Sequence, residues 1–456
     1  MNLIRETTDM VDNAEKRAVV LGAGFAGLFA ARILSEFYGQ VTVVDRDVLS
    51  GGHEARRGVP QRDQGHELLA RGQLIAEELF PGMTADLVTA GAPLGDVSEN
   101  VRWILEGQRL EKTTSGLSIV ACTRSFRERH LRARVEALPQ VAVLEGATAL
   151  RLVTTPDNRT VTGVVVARDG AEETLTADLV IDATGRGSRA PVWLDELGYG
   201  RVEEEKHKID IGYATCYYRT PPGAFGDDIS INTLASAEVP RGGSTQKVDG
   251  DRTIVTVYGI LGDYPPVEPE GFHAFVKSLA TPDIAEIVAV SEPLTEPVRY
   301  RFPANLRRRY ERMTTFPEGL LIIGDAVCSF NPRYGQGMTV AALEALTLRS
   351  HLSGREQPDP QAFFGELSAS VINDVWDIVI TTDLVFPGVE GDRNDDVRFI
   401  HAHVGRLQSA GMRDGDIAVA CLRVFGLVDP PAALFDQGLL DAVARVEEQE
   451  KTIATT

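Results

Sequence analysis

A chain of 456 residues, 43% hydrophobic and 25% charged, has the length for two or three domains and a large core in ordinary globular proportions. Its formal charge of −20 leaves no basic surplus to neutralise nucleic-acid phosphates or to hold an anionic lipid surface. Its four cysteines (Cys122, Cys216, Cys328 and Cys421) have neither disulfide-framework nor metal-ligand spacing, and read as small buried residues in a reducing compartment.

Residues 1–16 are polar and lack the apolar stretch of a signal peptide, and no apolar run approaches the length of a membrane span. The expectation is a cytoplasmic protein with a flexible N-terminal tail. Next comes "RAVVLGAGFAGLFAARILSEFYGQVTVVDRD", residues 17–47. The pattern predicts a short buried strand at Ala18 to Leu21, a helix from Phe25 to Phe37, and a second strand ending at Asp45. Gly22, Gly24 and Gly27 form GxGxxG. That motif alone is weak evidence, but strand, helix, strand and terminal acid together are strong. Gly22 permits a tight turn, Gly24 lets the backbone approach a pyrophosphate, and Gly27 lets the helix lie close to the sheet. The helix start, at Phe25 and Ala26, offers free N–H groups and a positive dipole end to phosphates. Asp45, followed by Arg46, is placed to accept hydrogen bonds from a ribose.

"RRGVPQRDQGHELLARGQLIAEELFPG" gives a loop with Arg56, Arg57 and Pro60, then a predicted helix from Gln64 to Leu79. His66 is the histidine nearest this loop. It is a candidate contact to substrate or flavin, against the plainer reading of a helix residue bonded to a neighbouring loop. Residues 123–138 predict a helix with a Thr or Ser cap and an apolar stripe at Phe126, Leu131 and Val135. "VAVLEG" reads as a strand, and Pro156-Asp157-Asn158 and Asp169-Gly170 as hairpin turns. Residues 205–300 alternate short strands with Pro/Gly turns, which suits a sheet in a second domain. Tyr213, Tyr217, Tyr218 and Tyr258 lie on those strands, as pocket lining or as packing. The basic stretch at 300–312 is expected to pair its arginines with acids of the chain.

"LVIDATGRGSR" ends a strand on Asp182 and turns through Gly185, while "GLLIIGDAV" puts Asp325 in the equivalent position. Pro332 and the Gly335-Gln336-Gly337 turn follow, opening a helix at Gly337 or Met338. A strand-end carboxylate suits the hydroxyls of a ribityl chain, with charge-assisted bonds of roughly 1.5–3 kcal/mol each. The helix start would aim N–H groups at a flavin ring, where its dipole favours the negative charge of the reduced state. From Pro358 the pattern is mostly helical, with Trp376 and Phe386 as candidate pocket walls and a charged helix near 437–450.

In order, GAGFAG, Asp45, Arg124 in CTRSF, DATGRGS and GDAVCSFNPRYGQGM resemble the para-hydroxybenzoate hydroxylase superfamily of single-component FAD monooxygenases, over most of residues 17–350. "RRGVPQRDQGHELLARG" is similar to the FAD epoxidases of polyether polyketide pathways and to the FAD-dependent decalin-forming cyclases of spirotetronate and tetramate pathways. The resemblance implies FAD, with Arg124 at its ribityl or pyrophosphate part, Asp325 on the ribityl chain and residues 335–339 along the ring. It is expected to be non-covalent, since no His or Cys beside the glycine motifs is in an obvious tethering position, Cys328 being the nearest exception. The expected fold class is α/β. A Rossmann-type FAD-binding domain (17–80, 115–200 and 300–352) is interrupted by a β-sheet substrate domain (81–114 and 201–299) and followed by C-terminal helices (353–456).

The implied activity is epoxidation or hydroxylation of a small hydrophobic polyketide-like substrate through a flavin C4a-hydroperoxide, with electrons from NAD(P)H or a reductase. The alternative is a non-redox [4+2] cyclase that keeps FAD as a scaffold. Two departures bear on this. Ala183-Thr184 stands where hydroxylases often carry DGxxSxxR, which argues against direct reduction by NAD(P)H, and Thr339 stands where asparagine is common. No Ser/His/Asp or metal-ligand constellation is present. The flavin itself is expected to carry the chemistry, with His66, Tyr213, Tyr258 and Trp376 as pocket candidates.

Overall fold

A computed structural model describes residues 15–49, 56, 58–59, 61–353 and 355–454. Along the chain, the elements that position the site are β1 (Arg17–Leu21), α1 (Phe25–Leu34), β2 (Gln40–Asp45), α2 (Ala70–Leu79), α3 (Arg124–Glu136), β3 (Val141–Glu145), β4 (Leu179–Asp182), β5 (Glu204–Arg219), β6 (Arg252–Gly259), β7 (Val298–Arg308), β8 (Leu320–Ile322), α4 (Gly337–Leu352) and α5 (Asn373–Asp383).

Five parallel strands form one sheet in the order β8-β4-β1-β2-β3. The strands β1, β4 and β8 are almost unbroken apolar runs because both faces of a parallel sheet are covered. α1 and α4 pack together over it, with Leu28, Phe29 and Ile33 of α1 fully enclosed. α1 ends at Leu34, three residues before the predicted Phe37. There the chain tightens, with the Glu36 and Phe37 amides donating to the carbonyls of Ile33 and Leu34. The two hairpin signals fall in a three-stranded antiparallel sheet, where Asn158 and Asp169 take the left-handed φ values of 60° and 51° that tight turns require.

The large sheet runs from Cys328–Ser329 through β7, β5 and β6 to strands at 241–248, 230–233, 101–105 and 108–109. Side chains alternate across it. Ala214, Cys216 and Tyr218 face a helical layer built on Phe272 and Phe275, and the Tyr218 hydroxyl lies 3.1 Å from His273 Nε2. Tyr213 and Tyr258 point to the opposite face, among Ile211, Phe302 and Phe386. The four tyrosines therefore divide, and Tyr218 belongs to packing. Tyr217 faces a separate cleft with Arg252 5.3 Å over its ring.

The basic stretch pairs within the chain as expected: Arg308 with Glu204 (3.1 Å), Arg309 with Glu205 (2.5 Å) and Arg312 with Glu203 (2.6 Å). Helices at Asp395–Gly411, Gly415–Phe425 and Gln437–Ala454 close the chain. Among the described residues no helix is long and apolar enough to cross a membrane.

Candidate functional site

The C-terminal ends of β1, β2, β4 and β8 meet at one place. Gly22, at φ 101°, leaves β1 so tightly that a Cβ there would lie 2.6 Å from the Ala183 carbonyl oxygen. A Cβ on Gly27 would lie 1.8 Å from the Gly22 oxygen, so the helix rests directly on the turn. Gly24 differs, because a Cβ there meets no protein atom within 4 Å. It faces open space at the start of α1. Phe25 is buried, and Ala26 packs against Gly324, where a Cβ would come within 2.8 Å of the alanine methyl.

Asp45 stands at the end of β2 as expected, but its oxygens are engaged by the chain itself. Oδ2 accepts from the Ala23 amide (2.7 Å) and from Arg56, and Oδ1 accepts from the Asp47 amide (2.9 Å). Arg56 also pairs with Glu128 and with Asp47 at 3.5 Å. Asp45, the ribose acceptor expected from the sequence, also shapes the glycine turn and holds Arg56. Arg46 is exposed. Arg57 and Pro60 lie outside the described residues.

Asp182, the second strand-end carboxylate, is also engaged within the chain. It is 0% exposed, accepts from Thr184 N (2.9 Å), Thr184 Oγ1 (2.6 Å) and Ser188 Oγ (2.6 Å), and so fixes its own turn. That turn sets Gly185 against Asp325, 3.9 Å from a Cβ position to the aspartate Cβ. Asp325 is the free carboxylate. Among the described residues no donor bonds to it, and a Cβ on Gly337 would lie 3.9 Å from its Oδ1. Burial raises its pKa, while the guanidiniums of Arg124 and Arg186 pull it down.

Arg124 is the first residue of α3, which Thr123 caps by accepting from the Phe126 amide at 3.3 Å. A cation at the positive end of a helix is electrostatically misplaced unless anions answer it. Here Glu128 does so at 3.6 Å and Asp325 from across the site. The Arg124 guanidinium lies 5.4 Å over the Phe25 ring, with Nε enclosed and unbonded. A cleft of about 420 Å³ opens beside it, lined in part by Arg56, Arg129, Arg132, Tyr217 and Arg252.

The predicted helix from Gln64 begins only at Ala70, because the preceding residues form a strap whose groups are committed elsewhere. Gly65 N donates to Thr256 Oγ1 (3.1 Å), Gln64 Oε1 accepts from Thr215 (2.7 Å), and Leu69 N donates to Thr339 Oγ1 (3.2 Å). Gly65 is needed there, since a Cβ would come 2.9 Å from Thr256 Oγ1. His66 sits on the strap, its Nδ1 2.9 Å from the Gln64 carbonyl, so Nδ1 carries the hydrogen. Burial, with Arg124 acting in the same direction, lowers its pKa to about 3. Glu67 is pushed up to about 7 by burial, against the pull of Arg127, and its Oε1 has no partner.

The turn before α4 rests on residues that sequence reasoning missed. Asp383 accepts from Asn305 Nδ2 (2.9 Å), Asn331 Nδ2 (2.9 Å) and the Tyr334 hydroxyl (2.8 Å), and Asn305 Oδ1 accepts from the Asn331 amide. Pro332 is exposed on the outside of this turn, Gly335 has φ 66°, Gln336 is buried with Oε1 unbonded, Gly337 is exposed and Met338 is buried. Behind it, Glu344 is 0% exposed and accepts from the Gly324 amide at 2.5 Å. Seven residues separate Glu344 from Gly337, two helical turns, so an acid on an apolar helix face was the available signal.

Burial lifts Glu344 to about 8; the Gly324 amide opposes the shift and Asp325 adds to it. Because the folded pKa exceeds the ordinary 4.5, its contribution to stability is full below pH 4.5 and is lost as pH rises through about 8. Glu344→Gln keeps an acceptor for Gly324 and removes the titration. Its melting temperature is expected to fall less between pH 5 and 9 than that of the unsubstituted protein. Parallel melting profiles would reject the assignment.

Tyr213, Tyr258 and Tyr300 form an aromatic wall, with Tyr213 5.7 Å from Tyr258 and 6.2 Å from Tyr300. Trp376 is not part of it. It packs 6.5 Å from Phe330 and edges a different cleft beside His207, so of the two predicted walls Phe386 is the one in the tyrosine cluster.

An open glycine turn at a helix start, facing a free strand-end carboxylate and unbonded Arg124 and Gln336 atoms, fits a nucleotide cofactor with hydroxyls and phosphates. The fold and this constellation define a flavoprotein of the dinucleotide-binding type. The chain belongs to the FAD binding domain family, whose profile matches residues 15–357, and its cofactor is FAD. It is 34% identical over 396 residues to Protein Rv3254 of Mycobacterium tuberculosis, covering 83% of this chain and 82% of that one. Its fold is similar to that of pqsL, a probable FAD-dependent monooxygenase from Pseudomonas aeruginosa, with a TM-score of 0.60 and 16% identity over 81% of this chain and 94% of that one. It is also similar to the Diels-Alderase PyrE3 of pyrroindomycin biosynthesis, with a TM-score of 0.58 and 16% identity over 91% and 81%.

Proposed function

We propose that this chain is an FAD-dependent monooxygenase that epoxidises or hydroxylates a largely apolar, polyketide-like small molecule. The observation that carries the reading is Asp325, a carboxylate with no donor among the described residues, set between Arg124 and Arg186 and facing the start of α4. In this reading Gly22, Gly24 and Gly27 with α1 hold the pyrophosphate, and the cleft beside Arg56 and Arg124 gives the ADP half its room. Asp325 accepts from the ribityl hydroxyls, and Gly335 to Met338 line the ring. Residues 17–80, 115–200 and 300–352 would make the cofactor-holding unit, and residues 81–114 and 201–299 the substrate unit.

FAD supplies electron storage and oxygen activation. In this reading the chain's own residues exclude water and orient the substrate: Tyr213, Tyr258, Phe302 and Phe386 cluster on the inner face of the large sheet and would wall the substrate chamber. His66 stays neutral throughout the physiological range and offers only an Nε2 lone pair. Glu67, which titrates near neutrality beside the same turn, can hold or release a proton there.

One observation favours a second reading. Thr184 and Ser188 spend their hydroxyls on Asp182, so the turn where hydroxylases dock nicotinamide offers no such groups. FAD would then be a scaffold, and the pocket would hold two ends of a polyene close enough for a [4+2] reaction. A panel of polyene and alkene polyketides given to the holoenzyme separates the two. The expected result is no product from oxidised enzyme under anaerobiosis, and a product carrying one ¹⁸O atom when reduced flavin and ¹⁸O₂ are supplied. An isomer formed by the oxidised enzyme without oxygen would replace the oxygenase with the cyclase.

A further inference from the structure

Arg333 follows Pro332 in the turn before α4 and turns away from Asp325, toward the tyrosine wall. Its guanidinium lies 5.8 Å from the Tyr258 ring, 5.0 Å from Tyr334 and 5.1 Å from Phe386. A cation among aromatic faces gains some attraction from them. That does not replace the hydrogen bonds water would give its five N–H groups. Its Nη1 is enclosed and has no hydrogen-bond partner among the described residues. The nearest acidic group acting on it is Asp383, whose two oxygens are already engaged by Asn305, Asn331 and Tyr334.

A second donor in the same cluster is also unmatched. The Tyr213 hydroxyl is enclosed without a partner, and its ring packs 5.7 Å from Tyr258, the ring that Arg333 overlies. The Tyr258 hydroxyl accepts from the Ala235 amide at 3.2 Å, which leaves its own hydrogen available. One cluster thus holds a guanidinium and phenols with donors to spare, and among the described residues no acceptor bonds Arg333 Nη1 or the Tyr213 hydroxyl. Buried polar groups left without partners destabilise the fold, a charge most of all, so such a set calls for an acceptor supplied from outside. A planar carboxylate matches it, since a guanidinium grips both oxygens side by side.

We propose that Arg333, with Tyr213, binds a carboxylate on the substrate, so that the molecule entering this chamber has an apolar body and an anionic end. The inference rests on reading the tyrosine-lined space as the substrate chamber of a flavoenzyme.

The test is a binding titration on oxidised FAD holoenzyme at pH 8, following the flavin absorbance. The probes are decanoate and its neutral isostere decanamide, which share an apolar chain and differ in charge. Decanoate is expected to bind about tenfold or more tightly than decanamide, the worth of one charge-assisted contact. Arg333→Gln should abolish that preference and Tyr213→Phe should narrow it, both with unchanged FAD affinity. Equal binding of the two probes, a preference that survives Arg333→Gln, or no response to either probe would overturn the assignment. If Arg333→Gln does not fold, Tyr213→Phe decides, and an unchanged preference there overturns it too. No turnover or oxygen enters the measurement, so its outcome is independent of whether the enzyme proves to be an oxygenase or a cyclase.

Discussion

Valine at position 24 is expected to abolish FAD binding while leaving the apoprotein folded. The backbone there has φ −82° and ψ −175°, an extended conformation that valine adopts readily. A Cβ meets no protein atom within 4 Å. Neither backbone strain nor packing therefore explains a glycine at this point. What remains is the approach of a ligand to the α1 amides, which an isopropyl group would block. The affinity should fall about a thousandfold, close to 4 kcal/mol, with the apoprotein's melting temperature within about 2 °C of the unsubstituted value. Gly27→Ala is the contrasting control. Its methyl would sit 1.8 Å from the Gly22 carbonyl oxygen, so the sheet and helix must separate and the fold itself should fail. Titration of FAD into each apoprotein, with thermal melts alongside, distinguishes the cases. FAD affinity within about tenfold of normal in Gly24→Val would remove the pyrophosphate from this turn.

The contrast among the three glycines shows what the chain pattern can convey. GxGxxG between two apolar strands carries the turn geometry: Gly22 takes φ 101° and Gly27 lies against the Gly22 carbonyl five positions back, while Gly24 answers no neighbour in the chain. Strand ends were legible as well, since Asp45, Asp182 and Asp325 each close an apolar run. Which of the three carboxylates remains free was not legible. That depends on partners far away or folded back: Arg56 takes Asp45, and the Thr184 and Ser188 hydroxyls take Asp182. The false helix start at Gln64 has a similar origin. Residues 64–69 have helical spacing, yet their bonding groups go to Thr215, Thr256 and Thr339, between 150 and 270 positions away. Tertiary bonds outweighed local propensity there. The alternation of Tyr213 and Tyr218 to opposite faces was readable from the period of two, but which face packs against helices was not.

Asp383→Ala is expected to be the most damaging single change on the substrate side of the site. The residue ends α5, where the helix dipole is negative and a carboxylate is disfavoured. It is nonetheless 0% exposed, held by three donors that have no alternative acceptor in the same space. Removing the carboxylate leaves the Asn305 and Asn331 amides and the Tyr334 hydroxyl unmatched together. At about 1–3 kcal/mol for each buried orphan, less relaxation and water entry, a net loss of about 4 kcal/mol follows. The consequence reaches function because Asn305 belongs to β7, Asn331 and Tyr334 to the turn before α4, and Asp383 to the helix leading to Phe386. One carboxylate fastens the large sheet, the proposed flavin turn and the chamber wall to one another. Urea unfolding of the apoprotein should show the stability loss, and FAD affinity should drop about tenfold or more as Gly335 to Gly337 lose their anchor. Asp383→Asn retains one acceptor oxygen but faces an amide donor against other donors, so it should fall between. Tyr334→Phe deletes one donor and leaves Asp383 its two asparagines, so it should cost about 1 kcal/mol. Equal losses for Tyr334→Phe and Asp383→Ala would mean that the tyrosine alone holds the turn. A stable Asp383→Ala protein with normal FAD affinity would show that the turn needs no such anchor.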